Sequence, residues 1–181
     1  MRSLLLLTLL TLFVSADTNN NNPYKSEAIK AVKTLGKALK GDLQKYMKQD
    51  PSGLTAFGFC TGKAQKITDN VNEKLPNNVS VRRTSNKVRN PQNKKDILDK
   101  WVMISQYGPG KANHKNLFIV EGDGFTRAYK PLFADKACLK CHGENIAEPL
   151  KAAIDTAYPQ DKAVDYKEGE LRGFIISEVK H

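Results

Sequence analysis

The sequence predicts an α+β domain, and three observations carry that prediction. Between residues 24 and 75 apolar side chains recur at three- and four-residue steps, the period of helices with one buried face. Further on, Leu117–Val120 and Phe125–Phe133 flank Glu121-Gly122-Asp123-Gly124, a turn that folds one strand back on the other and makes them antiparallel neighbours. A last apolar, β-branched run, Leu171–Val179, follows more helical patterning. Helices therefore come first and antiparallel strands later, which is the order of an α+β chain.

Taken in order, the chain opens with Met1 and Arg2, the apolar run Leu4–Val14, and Val14-Ser15-Ala16 before Asp17. A charged start, a short apolar stretch and small residues at its end make a secretory signal peptide, with cleavage expected after Ala16. The run is too short for a hydrocarbon core of roughly 30 Å. No other run approaches membrane length, so stable membrane insertion is not expected. The expected organisation is a signal peptide at 1–16, a polar tether at 17–23 and one domain at 24–181, exported to the periplasm.

Within that domain Ile29, Val32, Leu35, Leu39, Leu43 and Tyr46 predict a long N-terminal helix, stopped by Asp50-Pro51-Ser52-Gly53. Leu54, Phe57, Cys60, Ala64, Ile67, Val71 and Leu75 predict a second, closed by Pro76-Asn77-Asn78. This spacing puts Cys60 on the buried stripe. Val79–Thr84 alternates and reads as a strand, and 85–95 as a polar loop. Ile97, Leu98, Trp101, Val102 and Ile104 mark another helix before Gly108-Pro109-Gly110. The hairpin follows, then a short helical piece over Cys138–His142, a helix carrying Ile146, Leu150, Ile154 and Ala157, and the final strand.

Charge narrows the partners. There are 29 Lys and Arg against 19 Asp and Glu, a formal balance of +10. Export and the scatter of lysines along helices argue against nucleic acid. A basic surface can still steer an acidic redox partner.

The cysteines are more informative. An exported chain with only three, Cys60, Cys138 and Cys141, is not a disulfide-stapled domain, which needs an even and larger set. Two of them stand in Cys138-Leu139-Lys140-Cys141-His142, the attachment motif of c-type haem. One helical turn brings both thiols to the two vinyl groups of one porphyrin, and the adjacent His142 falls under the iron as a ligand. A thioredoxin-type disulfide would not call for the following histidine. A zinc site from Cys60, Cys138, Cys141 and His142 has the ligand count, but neighbouring Cys141 and His142 would have to converge on one ion.

The other face of the iron is left open by the residues alone. His114 sits in a polar loop, His181 at a terminus expected to fray. Met47 and Met103 read as edge and core fillers. Cys60 reads either as a small buried hydrophobe or as a thiolate ligand.

Six segments in order resemble a known family: Ala56-Phe57-Gly58-Phe59-Cys60, Val81-Arg82-Arg83-Thr84-Ser85 with Arg89-Asn90-Pro91-Gln92-Asn93, Tyr129-Lys130-Pro131-Leu132, Cys138–Gly143, Tyr158-Pro159 and Gly169-Glu170-Leu171-Arg172-Gly173. Together, from about Tyr24 to Val179, they are similar to the c-type haem sensor-like domain. That domain occurs as free-standing cytochromes and as the extracytoplasmic part of bacterial sensor kinases. The resemblance implies a PAS-like antiparallel sheet flanked by helices and one covalent haem with His142 and Cys60 as axial ligands. It also implies a basic segment, Arg83, Arg89 and Asn90, that holds the haem propionates. Two adjacent arginines, Arg82 and Arg83, stand where a single one is usual, which leaves open which of them reaches the haem.

Thiolate ligation would favour the ferric state and a low reduction potential. The expected function is a redox or gas sensor, binding carbon monoxide or nitric oxide once Cys60 leaves the reduced iron. The alternative is a low-potential electron carrier with an acidic partner. No distal acid–base pair suggests an enzyme.

Overall fold

The computed structural model describes residues 22–111 and 116–181. The signal-peptide reading, all but the end of the tether, and His114 lie outside them. The expected class holds: helices flank a four-stranded antiparallel sheet and a long helix opens the domain.

That helix, α1 (Pro23–Gln49), starts where Asn22 accepts a hydrogen bond from the Tyr24 amide, with Pro23 at the first helical position. Both are preferred there, since the first turn has unsatisfied N–H groups and proline lacks one. Ala28, Ala31, Val32 and Leu35 are its buried residues, at one-turn spacing on one side. They pack on one face of the sheet against Val79, Val81, Ala128, Ile175 and Val179.

The sheet is built from β1 (Val79–Ser85), β2 (Phe118–Gly122), β3 (Phe125–Phe133) and β4 (Leu171–Lys180). Its order is β1-β4-β3-β2, antiparallel throughout. Gly173 is required where β4 meets β1: a Cβ there would overlap the Thr84 carbonyl oxygen.

The second helical run is not continuous, contrary to the reading from its spacing. It divides into α2 (Leu54–Gly58), a π-helical turn over Phe59–Lys63, and α3 (Ala64–Asn72). A π turn inserts one extra residue, so positions before and after it fall out of register. Phe57, Phe59, Ala64 and Thr68 are buried, whereas Cys60 is exposed. The expectation that Cys60 lies on the buried stripe is thereby corrected. Tyr46 of α1 brackets this turn, stacking on Phe59 at 5.3 Å between ring centres and accepting a 2.7 Å bond from Lys63 Nζ.

The opposite face of the sheet is covered by α4 (Ile97–Tyr107), whose Val102 and Met103 pack with Val120, Tyr129, Phe174 and Ile176. Asp96 and Asp99 form a reciprocal capping box at its start. Asp99 is 0% exposed and is fully partnered, by Arg82 at 2.8 Å, the Tyr129 hydroxyl at 3.1 Å and the Asp96 amide at 3.1 Å. Arg127 binds Asp96 at 2.7 Å and also Glu178.

The short α5 (Leu139–His142) and α6 (Glu148–Ala157) lie beyond the sheet edge, where Leu150 and Ile154 bury Phe57 and half-bury Cys141. His181, expected to fray, is anchored. Its ring stacks on Tyr24 at 4.1 Å and pairs with the Thr126 hydroxyl at 3.2 Å.

Candidate functional site

The segment 138–143 is a single helical turn. Cys141 and His142 amides both donate to the Cys138 carbonyl, at 3.2 and 3.0 Å, and the Gly143 amide donates to Leu139 at 2.8 Å. Asp135 anchors its start, accepting from the Cys138 amide at 3.1 Å. The two thiols therefore project from one turn into two apolar patches, Cys138 beside Ala134, Ala163 and Tyr166, Cys141 beside Phe57, Leu150 and Ile154. Gly53 passes close by at φ +88°, a conformation that favours glycine, and a Cβ there would crowd Leu150 Cδ2 at 3.2 Å.

His142 is held by the loop opposite. Its Nδ1 lies 2.7 Å from the Ala163 carbonyl, and its ring meets Tyr166 edge-on at 6.2 Å. Burial, then the charges of Arg172 and Arg89, push its pKa well below the ordinary histidine value. The ring is thus neutral near pH 7. A carbonyl can only accept, so Nδ1 carries the proton and Nε2 keeps its lone pair. Metal-binding histidines are commonly oriented in this way, by a carbonyl on the other ring nitrogen.

That loop is fixed by Arg89. Its guanidinium donates to Asp161 at 3.0 Å, to the Cys141 carbonyl at 2.7 Å and to the Ala163 carbonyl at 3.2 Å, with side chains of Arg89 and Asp161 only 8% and 5% exposed. The Asp161 carboxylate in turn accepts from the Ala163 amide at 2.8 Å. One arginine so ties the cysteine turn to the carbonyl that orients His142. Asn90 caps the 3-10 turn Pro91–Asn93, accepting from the Gln92 amide.

Arg82 and Arg83 diverge because successive strand residues face opposite sides. Arg82 goes to Asp96 and Asp99 under α4. Arg83 goes the other way, donating to Gln65 Oε1 at 3.3 Å, while its buried Nε has no hydrogen-bond partner. Arg172, one of the residues whose role the sequence did not reveal, donates to the Ser85 hydroxyl and lies over the Tyr166 ring at 5.2 Å. Among the described residues neither Arg83 nor Arg172 has a carboxylate within ion-pair distance. Burial holds both below the ordinary arginine pKa. A buried cation without a counter-charge is costly, so the recess favours an anion.

Cys60 shares that recess. The residue is exposed, yet protein crowds its thiol: burial raises the thiol's pKa, and Arg83, Arg89 and Arg172 pull it down by less. Burial first, then the charge of Cys60, pushes the Cys141 thiol up to about 11. Cys60, Cys141, Arg83, Arg89 and Arg172 are thus one electrostatic neighbourhood. Among the described residues no three His, Cys, Asp or Glu side chains gather as a bare metal ion would need, which disfavours the zinc arrangement.

The donor set suits haem: two thiols on one turn, an oriented neutral imidazole, a third thiol nearby, and two unneutralised guanidinium groups, one with an orphaned buried N–H. The sequence pattern of the Tll0287-like family matches residues 16–179. The crystal structure of the cyanobacterial heme-protein Tll0287 superposes with a TM-score of 0.68 at 22% identity, over 88% of this chain and 97% of that one. This likeness is one of fold, the PAS-like α+β arrangement. No curated protein matches the chain.

Proposed function

The chain belongs to the Tll0287-like family, and from that premise we propose that it is a haem protein of the c type, exported and working at low potential as a redox or gas sensor. In this reading one haem is bound covalently through Cys138 and Cys141. His142 and Cys60 would be its iron ligands, and Arg83 with Arg172 would neutralise its propionates, since Arg89, expected there with Asn90, is already paired with Asp161 and Asn90 caps its own turn. The observation that carries the reading is the His142 ring, neutral and held through Nδ1 by Ala163 beside the two cysteines.

Haem bound there would supply a one-electron couple and a gas-binding position. The protein's part is orientation and charge. Arg89 keeps the Cys141 carbonyl and the Ala163 carbonyl in fixed relation, so the imidazole cannot rotate away from the turn that carries the thiols. Phe57, Leu150 and Ile154 keep water from one side of that turn. Cys60 would be the ligand that leaves: it is an exposed residue in a π turn, and π turns recur at functional sites. Its departure would let α2 and α3 move against α1. That movement is the signal a separate partner would read.

The carrier reading is favoured by α1, whose Lys30, Lys33 and Lys37 line an open groove, a basic surface fit for an acidic redox partner. Potentiometry with and without carbon monoxide separates the two, because only a sensor binds the gas on reduction.

Mass spectrometry of protein from a host that matures c-type cytochromes should give the polypeptide plus one haem, and Cys138→Ala with Cys141→Ala should abolish that addition. The bare polypeptide mass in the unsubstituted protein would overturn the reading. Cys60→Ala should change the ferric spectrum and raise the potential, and His114→Ala should change neither.

A further inference from the structure

The helix α4 has apolar residues on two opposite sides. Val102 and Met103 face the sheet. Ile97, Trp101 and Ile104 are 85%, 38% and 71% exposed. At 100° per residue these three fall within about 60° of one another, diametrically across from Val102 and Met103. A surface helix ordinarily carries one apolar stripe. The second contributes nothing to the core, and a contiguous exposed apolar stripe marks an interaction surface.

Its flanks are basic. Lys94 and Lys100 are exposed and Lys95 half-buried. The nearby acid, Asp96, is occupied by Arg82 and Arg127, so the outward charge around the stripe is positive, in a chain of +10 overall.

We propose that this face of α4 docks peripherally on an anionic lipid bilayer, with Ile97, Trp101 and Ile104 entering the headgroup boundary and Lys94 and Lys100 meeting lipid phosphates. A convex single helix with a tryptophan, aliphatic neighbours and flanking lysines fits the interfacial zone of a membrane. A second copy fits less well. A two-fold axis through Trp101 would bring Lys100 close to its own counterpart, between two chains of like charge. The proposal does not depend on haem. It places α4 against the surface and leaves the Cys60 recess, on the other face of the sheet, directed away.

The test is co-sedimentation of the purified protein with vesicles of phosphatidylcholine, with and without phosphatidylglycerol. Binding should require phosphatidylglycerol and fall with added salt. Trp101 is the chain's one tryptophan, so its emission maximum should shift to the blue with these vesicles alone. The double variant Ile97→Ser, Ile104→Ser should bind more weakly by about tenfold or more, and Lys94→Glu with Lys100→Glu by at least about fivefold per lysine. These side chains are exposed, so circular dichroism and the melting temperature should stay those of the parent. Lys30→Glu, Lys33→Glu and Lys37→Glu on α1 should leave the Trp101 shift in place. Equal binding to phosphatidylcholine alone would overturn the proposal. So would undiminished binding by the isoleucine variant, or a dimer in sedimentation equilibrium that Ile104→Ser dissociates.

Discussion

Arg82 and Arg83 are chain neighbours with opposite fates. On the α4 face of the sheet Arg82 enters a closed network in which Asp96, Asp99, Arg127, Glu178 and the Tyr129 hydroxyl satisfy one another. On the other face, among the described residues, Arg83 and Arg172 stand without carboxylates, one with an unpaired buried N–H. The closed network is finished by folding. In the proposed reading the open pair would be completed by the propionates of a bound haem. A half-buried charge with no carboxylate partner is a costly arrangement that an anionic ligand would relieve.

The comparison breaks most sharply at Asp99. Asp99→Ala takes the buried carboxylate from Arg82, which keeps only the half-exposed Asp96, and removes the acceptor of the Tyr129 hydroxyl, and should lower unfolding stability by about 3 kcal/mol. Chemical denaturation measures this, and the visible spectrum of the haem-loaded protein should be unaltered. A loss below about 1 kcal/mol would mean that water replaces the carboxylate.

Arg83→Gln should do the reverse. It removes an uncompensated cation, so stability should stay within about 0.5 kcal/mol. Loss of a positive charge near the iron should lower the midpoint potential, by about 1 kcal/mol or roughly 40 mV for one electron. Arg172→Gln should add a comparable fall. Potentials unmoved by both variants would remove the propionate assignment.

The smallest effect is in acid. Burial acts to raise the Asp96 pKa, but the Asp99 amide and then Arg127 and Arg82 outweigh it, and the net direction is down. A depressed folded pKa contributes stability above the unfolded carboxylate value of about 3.9, lost as pH falls through the folded value. Melting temperature should therefore hold from neutrality to about pH 4 and decline below it. In Asp96→Asn that acid decline should be shallower.

The helices and strands were legible because burial repeats with their periods: α1 buries Ala28, Ala31, Val32 and Leu35 at the expected steps, and the hairpin turns at Gly122–Gly124. The π turn was not, since each flanking stretch keeps its own helical spacing and only the register between them shifts, which is enough to move Cys60 off the buried stripe. Arg172 lay in plain view within a recognised segment, yet its environment depends on Ser85 and Tyr166, distant in sequence. One available signal was a charged residue before a glycine at the entry of an apolar strand. The Ala163 carbonyl had none, because a backbone oxygen leaves no mark on residue type. Arg89 was legible as part of a basic segment, but its hold on two carbonyls exists only once the loops meet.

Tyr46 gives the fold a mechanical property. It touches Phe59 and Lys63, the first and last residues of the π turn, and it stands near the far end of a helix of 27 residues, about 40 Å long at 1.5 Å per residue. Expelling the extra residue would advance α3 by about 100° relative to α2 and strip Tyr46 of one of its two holds. The fully buried residues of α1 lie in its first half, on the sheet, with Leu39 packed on the same core, and its last turns are held by the π turn through Tyr46. A change of winding at Cys60 would therefore be felt at the last turns of α1, where the helix leans on the turn and not on the sheet.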